Sequence, residues 1–444
     1  MKTWQQCHHL VVVGLGITGL SVVNYVKRVA PHVDIKVIDT RLTPPGAEAL
    51  PAGIESCFGE WQMDWLLQAD LVVTTPGVAL ATEQIQTVIS AGIDVVGDIE
   101  LFAQAVDKPV LAITGSNGKS TVTDLTGVLL RAAGLNVGVG GNIGTPALDL
   151  LAQDCDVYVL ELSSFQLETT FNLALVAAAY LNLSEDHMDR YASFAHYGAA
   201  KQRIFRHAQL AIVNREDRAT YPSCQLTQKA LQKTITFGLN DQEFGFVEHQ
   251  GQRYLSVDQT PLVAAQSLSM IGQHNYLNAL VALALVSSLS LDLQLVLPAL
   301  QTYSGLTHRC EVVVDNHGIK WINDSKATNV ASTQAALSGL ECQGQLYLLV
   351  GGEGKGADFS SLAPLLDTLP VTLLCFGKDG PQLAALASDA RVFQDMEQAV
   401  ASIAGQLKHG DIVLLSPACA SLDQYANFAE RGRAFVQLAE QYGK

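Results

Sequence analysis

The segment AITGSNGKST, residues 112–121, decides how this chain folds, because it has the form of a strand, a glycine-rich turn and the start of a helix. The familiar phosphate-binding loop has the spacing G-x-x-x-x-G-K-[ST]. Counted back from Lys119, its first glycine would stand at position 113, which is an isoleucine, and the nearest glycine is Gly115. The shortened loop still offers backbone N–H groups, a lysine and a hydroxyl, which are the groups that hold phosphate and Mg²⁺. It therefore predicts a phosphate site at the end of a buried strand.

Short apolar runs rich in β-branched residues alternate with helical segments along the whole chain, which is typical of a parallel α/β architecture. Two polar passages, 97–109 and 301–311, suggest boundaries between domains. We expect an α/β protein of three domains: a Rossmann-like domain over 1–97, a central domain with a P-loop-type parallel sheet over 98–305, and a Rossmann-like α/β domain over 306–444. The strand candidates are 10–13, 35–38, 71–74, 110–113, 157–162, 176–183, 210–213, 311–314, 319–322, 346–350, 371–376 and 411–415.

A second glycine pattern, Gly14-x-Gly16-x-x-Gly19, follows the first apolar run, and Asp39 stands twenty residues beyond it. This is the fingerprint of a dinucleotide-binding turn, in which the acid takes the ribose hydroxyls. NAD is the default ligand of the pattern, but any diphosphate ester fits the same geometry. Arg41 would suit an extra phosphate or a base edge.

Two further strands end in polar side chains that should share one sheet edge with the loop, because the carboxyl ends of parallel strands meet there. The first ends at Glu161, and the second leads into a loop with Glu185, Asp186, His187 and Asp189. Glu161 and His187 are therefore candidate Mg²⁺ ligands. The next helix places Lys201 near them, so that this lysine either contacts phosphate or is chemically altered.

The net charge of −16 argues against binding to nucleic acid or to anionic membranes, which needs a cationic face. The eight cysteines are scattered singly, without a metal-binding spacing, which fits a reducing cytoplasm. The long apolar stretch 278–300 is broken by polar residues and is interpreted as a buried helix, a turn and a second helix start, not a membrane span. No secretory signal is recognisable at the N-terminus.

Taken together, a dozen ordered motifs make the chain resemble the Mur ligase family over essentially its full length. They include ITGSNGKST (113–121), VLELSSFQLE (159–168), EDHMDRY (185–191), INDSKATN (322–329) and SPACASLDQYANF (416–428). The shortened loop is a property of that family. Within the family, the motifs resemble most the branch that adds D-glutamate to UDP-N-acetylmuramoyl-L-alanine.

The resemblance implies a role for each matching residue. The UDP-sugar site would be lined by Ile17, Thr18, Asp39, Thr40, Arg41, Thr75, Gly77, Asn142, Gln166 and His187. ATP would be bound by Gly115, Ser116, Asn117, Gly118, Lys119, Ser120, Thr121, Asn275, Arg309, Asp324 and Lys326. The D-glutamate pocket would comprise Thr328, Lys355, Ser421, Leu422 and Phe428. Magnesium would be held by Ser120, Glu161, His187 and Lys201, the last of these as a carbamate; the catalytic residues would be Lys119, Glu161, His187 and Lys201.

The implied activity is an ATP-dependent ligation in peptidoglycan precursor synthesis, with two Mg²⁺ ions and an acyl-phosphate intermediate. The partners would be ATP, D-glutamate and UDP-N-acetylmuramoyl-L-alanine, and a monomer is expected. A sister ligase for another amino acid, a folylpolyglutamate synthetase, a nicotinamide-dependent dehydrogenase and a nucleotide-binding regulator are the alternatives. Asp324-Ser325-Lys326-Ala327 favours the D-glutamate branch over its sisters, and the dehydrogenase leaves the central loop unexplained.

Overall fold

The structure is a computed structural model of the chain, and it describes residues 3–188, 190–223, 231–270, 272–338, 340 and 342–443. It divides into two compact units, one comprising Met1–Val263 and Leu280–Ala299 and the other Ala264–Ala279 and Leu300–Lys444. The first unit carries two sheets and the second carries one.

The first sheet has five strands in the order β3-β2-β1-β4-β5, and all its neighbours are parallel. The order reverses between β1 and β4, which is the switch point where open α/β sheets bind ligands. Its elements are β1 (His9–Val13), α1 (Ile17–Val29), β2 (Asp34–Asp39), β3 (Glu55–Phe58), α2 (Met63–Gln68), β4 (Leu71–Thr74), α3 (Glu83–Ser90), β5 (Asp94–Val96) and α4 (Asp98–Ala105).

The second sheet has nine strands in the order β14-β13-β12-β11-β10-β9-β6-β8-β7. β6 lies between β9 and β8, and it and β8 are buried at every residue, as expected for parallel strands covered on both faces. The elements are β6 (Val110–Thr114), α5 (Lys119–Ala132), β7 (Val137–Gly141), α6 (Ala147–Leu150), β8 (Val157–Glu161), α7 (Ser164–Glu168), β9 (Leu175–Tyr180), α8 (Phe194–Gln202), β10 (Ala208–Asn214), β11 (Lys233–Phe237), β12 (Phe244–His249), β13 (Gln252–Val257), β14 (Thr260–Ala264), α9 (Gln273–Ser287) and α10 (Leu297–Thr302).

The third sheet has six strands in the order β15-β16-β20-β17-β18-β19, parallel except for the β15–β16 hairpin. Its elements are β15 (Glu311–Asn316), β16 (Ile319–Asn323), α11 (Val330–Leu337), β17 (Leu346–Gly351), α12 (Ala363–Leu366), β18 (Val371–Phe376), α13 (Gly380–Ala384), β19 (Arg391–Val392), α14 (Met396–Ala401), β20 (Ile412–Leu415) and α15 (Phe428–Tyr442).

The predicted α/β architecture with three parallel-rich sheets is confirmed, and each strand candidate falls on a strand. Two details differ. The candidate 176–183 ends as a strand at Tyr180, because the chain then turns to bond the phosphate-loop segment. The central sheet is also not parallel throughout, since β12 and β13 form an antiparallel hairpin. The stretch 278–300 is a buried helix, a turn and a second helix, as expected, and among the described residues no helix is long and apolar enough to cross a membrane.

Candidate active site

The first glycine turn joins β1 to α1 at the switch point of the first sheet. The structure gives a different reason for glycine at each of its three glycine positions. Gly14 has φ +98°, and a Cβ there would lie 2.0 Å from Thr75 Oγ1. A Cβ on Gly19 would lie 2.0 Å from the Gly14 carbonyl oxygen, so this glycine lets helix and strand approach. A Cβ on Gly16 would meet no atom within 4 Å. Gly16 therefore borders open space, where a diphosphate can approach the N-terminus of α1.

Asp39 does not offer the free carboxylate that the dinucleotide fingerprint predicts. Its Oδ2 accepts hydrogen bonds from the Leu15 N–H at 2.7 Å and from Arg41 Nη2 at 2.6 Å, and its Oδ1 accepts from Arg41 Nε at 2.9 Å. Burial would raise the pKa of Asp39, but these bonds from Arg41 and Leu15 outweigh it and hold the pKa below its ordinary value. Both oxygens already accept hydrogen bonds from the protein, and the expectation that this acid takes ribose hydroxyls stays a prediction. Its role is to hold Arg41, whose side chain is 53% exposed.

The other predicted nucleotide-sugar residues near this turn are placed along the same sheet edge. Ile17, at the start of α1, is 74% exposed, which is unusual for a large apolar side chain. Thr75 follows β4, and its N–H and hydroxyl both donate to the Val13 carbonyl. Gly77 lies in the next turn and is exposed. Thr18 follows Ile17 in α1, and Thr40 stands between Asp39 and Arg41.

The phosphate loop between β6 and α5 has the left-handed backbone that only glycine adopts freely. Gly115 has φ +155° and Gly118 has φ +84°, and α5 begins at Lys119 directly after Gly118. A Cβ on Gly115 would also stand 3.0 Å from the Leu181 Cβ. The first turn of α5, with Ser120 and Thr121, therefore presents its N–H groups beside the loop, as the shortened motif predicts.

Two lysines meet at one carbonyl of this loop. Lys119 Nζ donates to the carbonyl oxygens of Gly115 and Ser116, each at 2.9 Å, and Lys201 Nζ donates to that of Gly115 at 2.7 Å. Lys201 is 2% exposed, and its Nζ lies 4.6 Å from the centroid of the Tyr197 ring. Burial, and after it the charge of Lys119, lower the pKa of Lys201 well below its ordinary value.

Glu161 ends β8, next to β6 in the sheet, with Ile113 as its partner in register. Its Oε1 accepts a hydrogen bond from Asn142 Nδ2 at 2.6 Å, and its Oε2 is buried without a hydrogen-bond partner. A buried carboxylate oxygen without a partner is costly, and a metal ion is a natural occupant. Glu161 Oε2 is thus a candidate ligand for a divalent cation at this edge, although the described residues include no group of three or more His, Cys, Asp or Glu side chains placed to hold one.

His187 lies in the loop after β9 with a left-handed backbone, φ +57°. Its ring lies edge-on to Phe165 at 4.9 Å and to Tyr197 at 6.1 Å between centroids. Its Nε2 is 3.8 Å from Asp186 Oδ2. Asp189, which the sequence also brought to this loop, lies outside the described residues.

Sequence reasoning missed the residues that hold the phosphate loop in shape. The Asn182 side chain accepts from the Asn117 N–H at 2.9 Å and donates to the Asn117 carbonyl at 3.1 Å. Ser116 Oγ donates to the Ser184 carbonyl and lies 3.3 Å from the Tyr197 hydroxyl. The signal was available, because Asn182 and Ser184 follow β9, whose carboxyl end shares the edge with the loop.

Gln166 is held on α7 by a capping box with Ser163, and its Nε2 donates to Asp98 Oδ2 at 3.4 Å. Asp98 begins α4 and is 2% exposed, and burial raises its pKa to about 6. Asp98 is another residue that sequence reasoning did not single out. It orients the Gln166 amide, one of the residues expected along the sugar-peptide path.

The second compact unit holds the other residues predicted for ATP: Asn275, Arg309, Asp324 and Lys326. Asp324 follows β16; its Oδ2 accepts from Ser416 Oγ at 2.8 Å, and its Oδ1 accepts from the Cys310 N–H at 3.2 Å. Burial raises the pKa of Asp324 to about 7. Lys326 Nζ lies 3.9 Å from the centroid of the Phe428 ring, so an expected ATP residue and an expected D-glutamate residue are neighbours.

The remaining D-glutamate candidates flank one short backbone pairing at the carboxyl edge of the third sheet. Glu353 and Ala420 exchange two backbone hydrogen bonds of 2.9 Å, with Lys355 and Ser421 close by in the chain. Lys355 has φ +54°, and Leu422 is 61% exposed. Thr328 follows Lys326, to whose carbonyl its N–H donates.

Arg431 on α15 was not predicted, yet it fixes the loops of this edge. The residue is fully buried, and its guanidinium donates to the Cys419 carbonyl, to the Gly351 carbonyl and to both the hydroxyl and the carbonyl of Ser325. A sequence signal was weak, since an arginine on an amphipathic terminal helix usually faces solvent.

Comparison with known proteins agrees with this geometry. The chain matches three family models: Mur ligase MurD-like, N-terminal domain, at residues 8–97; Mur ligase middle domain, at 113–286; and Mur ligase, glutamate ligase domain, at 308–419. It is 60% identical, over 100% of both chains, to the UDP-N-acetylmuramoylalanine–D-glutamate ligases of Vibrio vulnificus (strain YJ016) and Vibrio cholerae serotype O1 (strain O395).

Solved structures are similar in fold. The MurF ligase from Thermotoga maritima in complex with ADP has a TM-score of 0.62 and 15% identity, covering 99% of this chain and 96% of that one. The UDP-N-acetylmuramate-alanine ligase MurC from Thermotoga maritima has a TM-score of 0.59 and 20% identity, covering 98% and 100%.

Proposed function

The chain belongs to the Mur ligase family, and we propose that it uses ATP to join D-glutamate to the alanine carboxylate of UDP-N-acetylmuramoyl-L-alanine. The full-length relatives at 60% identity support this substrate pair. The observation that carries the proposal is the meeting of Lys119 and Lys201 at the Gly115 carbonyl, on the sheet edge where Glu161 ends its strand. Two lysine side chains and a carboxylate oxygen without a hydrogen-bond partner suit the binding of a nucleoside triphosphate and its metal ion, and do not suit the binding of a nicotinamide.

The proposed reaction proceeds in two steps, phosphorylation of the alanine carboxylate and formation of the amide bond. An oxygen of the alanine carboxylate attacks the γ-phosphorus of ATP, and ADP leaves with the electrons of the broken P–O bond. The amine of D-glutamate then attacks the carbonyl carbon of the acyl phosphate. The C–O bond breaks, phosphate leaves with the former carboxylate oxygen, and the amine loses a proton. Negative charge builds on the phosphoryl oxygens first and on the carbonyl oxygen next, so both steps need positive or N–H-rich surroundings.

The phosphate loop supplies those surroundings for the nucleotide. The N–H groups from Gly115 to Thr121 and the Lys119 ammonium would face the β- and γ-phosphates. In the second unit, the proposed nucleotide residues are Asn275, Arg309, Asp324 and Lys326. We propose domain boundaries at 97/98 and 305/306, because each of the three sheets then lies within one domain.

Magnesium would be held by Ser120, Glu161 and His187, with Lys201 as a carbamate completing the set for two ions. Bound there, the metal supplies charge neutralisation for the phosphoryl oxygens. The unpartnered Glu161 Oε2 supports this assignment. The lowered pKa of Lys201 supports the carbamate, because only a neutral amine forms the N–C bond to CO₂, with release of one proton.

The UDP portion would lie across Gly16 and the exposed face of Ile17, within reach of Arg41, Thr75 and Gly77, with Thr18, Asp39 and Thr40 beside it. Asn142, Gln166 and His187 would line the muramoyl-alanine arm. Thr328, Lys355, Ser421, Leu422 and Phe428 would receive D-glutamate, whose two carboxylates need a cation such as Lys355. The substrates are those of peptidoglycan precursor assembly, and we assign the reaction to the cytoplasm, where nucleotide-activated sugars are made.

Phosphate release tests the proposal directly. Purified protein with ATP, Mg²⁺ and UDP-N-acetylmuramoyl-L-alanine is expected to release phosphate only when D-glutamate is added, and not with L-glutamate, L-alanine or a diamino acid. Turnover with one of those amino acids instead would assign the chain to a sister ligase. Phosphate release that needs no amino acid at all would reject the ligase.

A further inference from the structure

Arg190, three residues after His187, ties together two segments that the proposed function uses separately. Its side chain is 15% exposed. Nη1 donates to the Pro76 carbonyl at 3.1 Å, and Nη2 donates to the Val78 carbonyl at 3.2 Å. The planar guanidinium thus holds two carbonyls of the turn after β4 at once, which a lysine ammonium cannot do with the same geometry.

Arg190 also contacts α7 and the loop that carries His187, a proposed metal ligand. Its guanidinium carbon lies 4.1 Å from the centroid of the Phe165 ring, and that ring touches the His187 ring edge-on at 4.9 Å. The Arg190 N–H also donates to the His187 carbonyl at 2.9 Å. Nη2 stands 3.5 Å from Glu168 Oε2. Phe165 and Glu168 are three residues apart on α7, so both contacts to the guanidinium come from one face of that helix.

In the turn 75–78, the bond to Arg190 sets the direction of a peptide group. The Val78 N–H donates to the Thr75 carbonyl at 3.0 Å, which closes the turn. The described chain has no cis peptide, so the Pro76 carbonyl and the Gly77 N–H point in opposite directions within the plane of their peptide group. With the carbonyl on Arg190, the Gly77 N–H faces away from the guanidinium. A Cβ on Gly77 would meet no atom within 4 Å, so this residue borders free space.

We propose that Arg190 is a positioning residue that couples the UDP-sugar turn, residues 75–78, to the turn that carries His187. Binding of the sugar nucleotide on one side and of metal and ATP on the other would then favour each other, because both act on one residue: the turn through Nη1 and Nη2, and the His187 segment through the Phe165 ring and the Arg190 backbone N–H. The proposal rests on the proposed function, since that function supplies the two ligands. It adds a residue that touches neither of them.

The test measures a coupling, which a merely structural role would leave unchanged. The dissociation constant of UDP-N-acetylmuramoyl-L-alanine is determined by calorimetry, without and with saturating Mg²⁺ and a non-hydrolysable ATP analogue. In the wild type we expect the second condition to tighten binding about fivefold or more, the lower end of ordinary coupling between sites. In Arg190→Ala and Arg190→Lys the two constants should agree within about twofold.

Arg253→Ala is the matched control, because that guanidinium lies over the Phe246 ring at 3.9 Å in the distant β12–β13 hairpin; it should retain the wild-type ratio. Should Arg190→Ala fail to fold, Arg190→Lys, which keeps the charge beside Glu168, carries the test. Coupling retained in the Arg190 variants, or absent from the wild type, overturns the proposal. A wild type that binds no sugar nucleotide under either condition rejects the proposed function itself.

Discussion

Asp98 is a carboxyl buried at the start of α4, with one oxygen bonded to Gln166 and the other without a partner. A buried carboxyl group without a full set of hydrogen-bond partners lowers the stability of the fold. We therefore expect such a group where a neighbouring side chain depends on it for its position. Here the neighbour is Gln166, which the proposed sugar path requires. Lys119 and Lys201 at the Gly115 carbonyl follow the same logic, because burial and the charge of Lys119 lower the pKa of Lys201 at the place where the proposed function needs that side chain.

Asp98 also predicts a pH dependence of stability. Its pKa of about 6 in the folded chain lies above the ~3.9 of an unfolded aspartate, so the folded form binds the proton more tightly. Its contribution to stability is complete below about pH 4 and is lost as the pH rises through 6. The free energy of unfolding of the wild type should therefore fall more between pH 5 and pH 8 than that of Asp98→Asn, by at most about 1.4 kcal/mol.

Melting curves of both proteins at the two pH values measure this difference. Asp107→Asn, at an exposed position just after α4, is the control and should follow the wild type. Equal losses in wild type and Asp98→Asn would show that Asp98 ionises normally.

At the scale of elements, the glycine turn between β1 and α1 separates folding from binding. Gly19→Ala should lower the melting temperature, because its Cβ would stand 2.0 Å from the Gly14 carbonyl oxygen and helix and strand must move apart. Gly16→Ala should leave the melting temperature unchanged, since its Cβ meets nothing. It should nevertheless weaken UDP binding about tenfold or more, about 1.4 kcal/mol, because the methyl group occupies the approach of the diphosphate.

Calorimetric titration of UDP and a thermal melt on each variant provide the comparison. If Gly16→Ala bound UDP as tightly as the wild type, the diphosphate would have to lie elsewhere than this turn.

The elements also explain how far sequence reasoning reaches. The strands that deliver Lys119 and Glu161 were predictable, because buried parallel strands are continuous apolar runs and their polar residues stand at the ends. For Asp39, the spacing indicates an acid at the end of β2 but does not show that Arg41, two residues later, donates hydrogen bonds to both of its oxygens. The β12–β13 hairpin and Arg431 were missed for a similar reason: pairing direction and the burial of one arginine depend on distant partners.

At the scale of the whole molecule, the proposed sites are divided between two compact units. The sugar-nucleotide turn, the phosphate loop and the metal residues belong to the first unit, while Asp324, Lys326 and the D-glutamate candidates belong to the second. The proposed phosphate loop and metal residues thus lie in the first unit, whereas the residues proposed for D-glutamate, and some of those proposed for ATP, lie in the second. The proposed ligation therefore uses residues of both units.

The most direct test of the central claim follows one oxygen atom. UDP-N-acetylmuramoyl-L-alanine labelled with ¹⁸O in the alanine carboxylate is incubated with ATP, Mg²⁺ and D-glutamate, and the released phosphate is analysed by mass spectrometry. We predict one ¹⁸O atom in each phosphate, and no phosphate from Lys119→Ala although that variant should melt like the wild type. Phosphate that carries no ¹⁸O while the amide product forms would contradict the acyl phosphate, and with it the account given of the loop at residues 115–121.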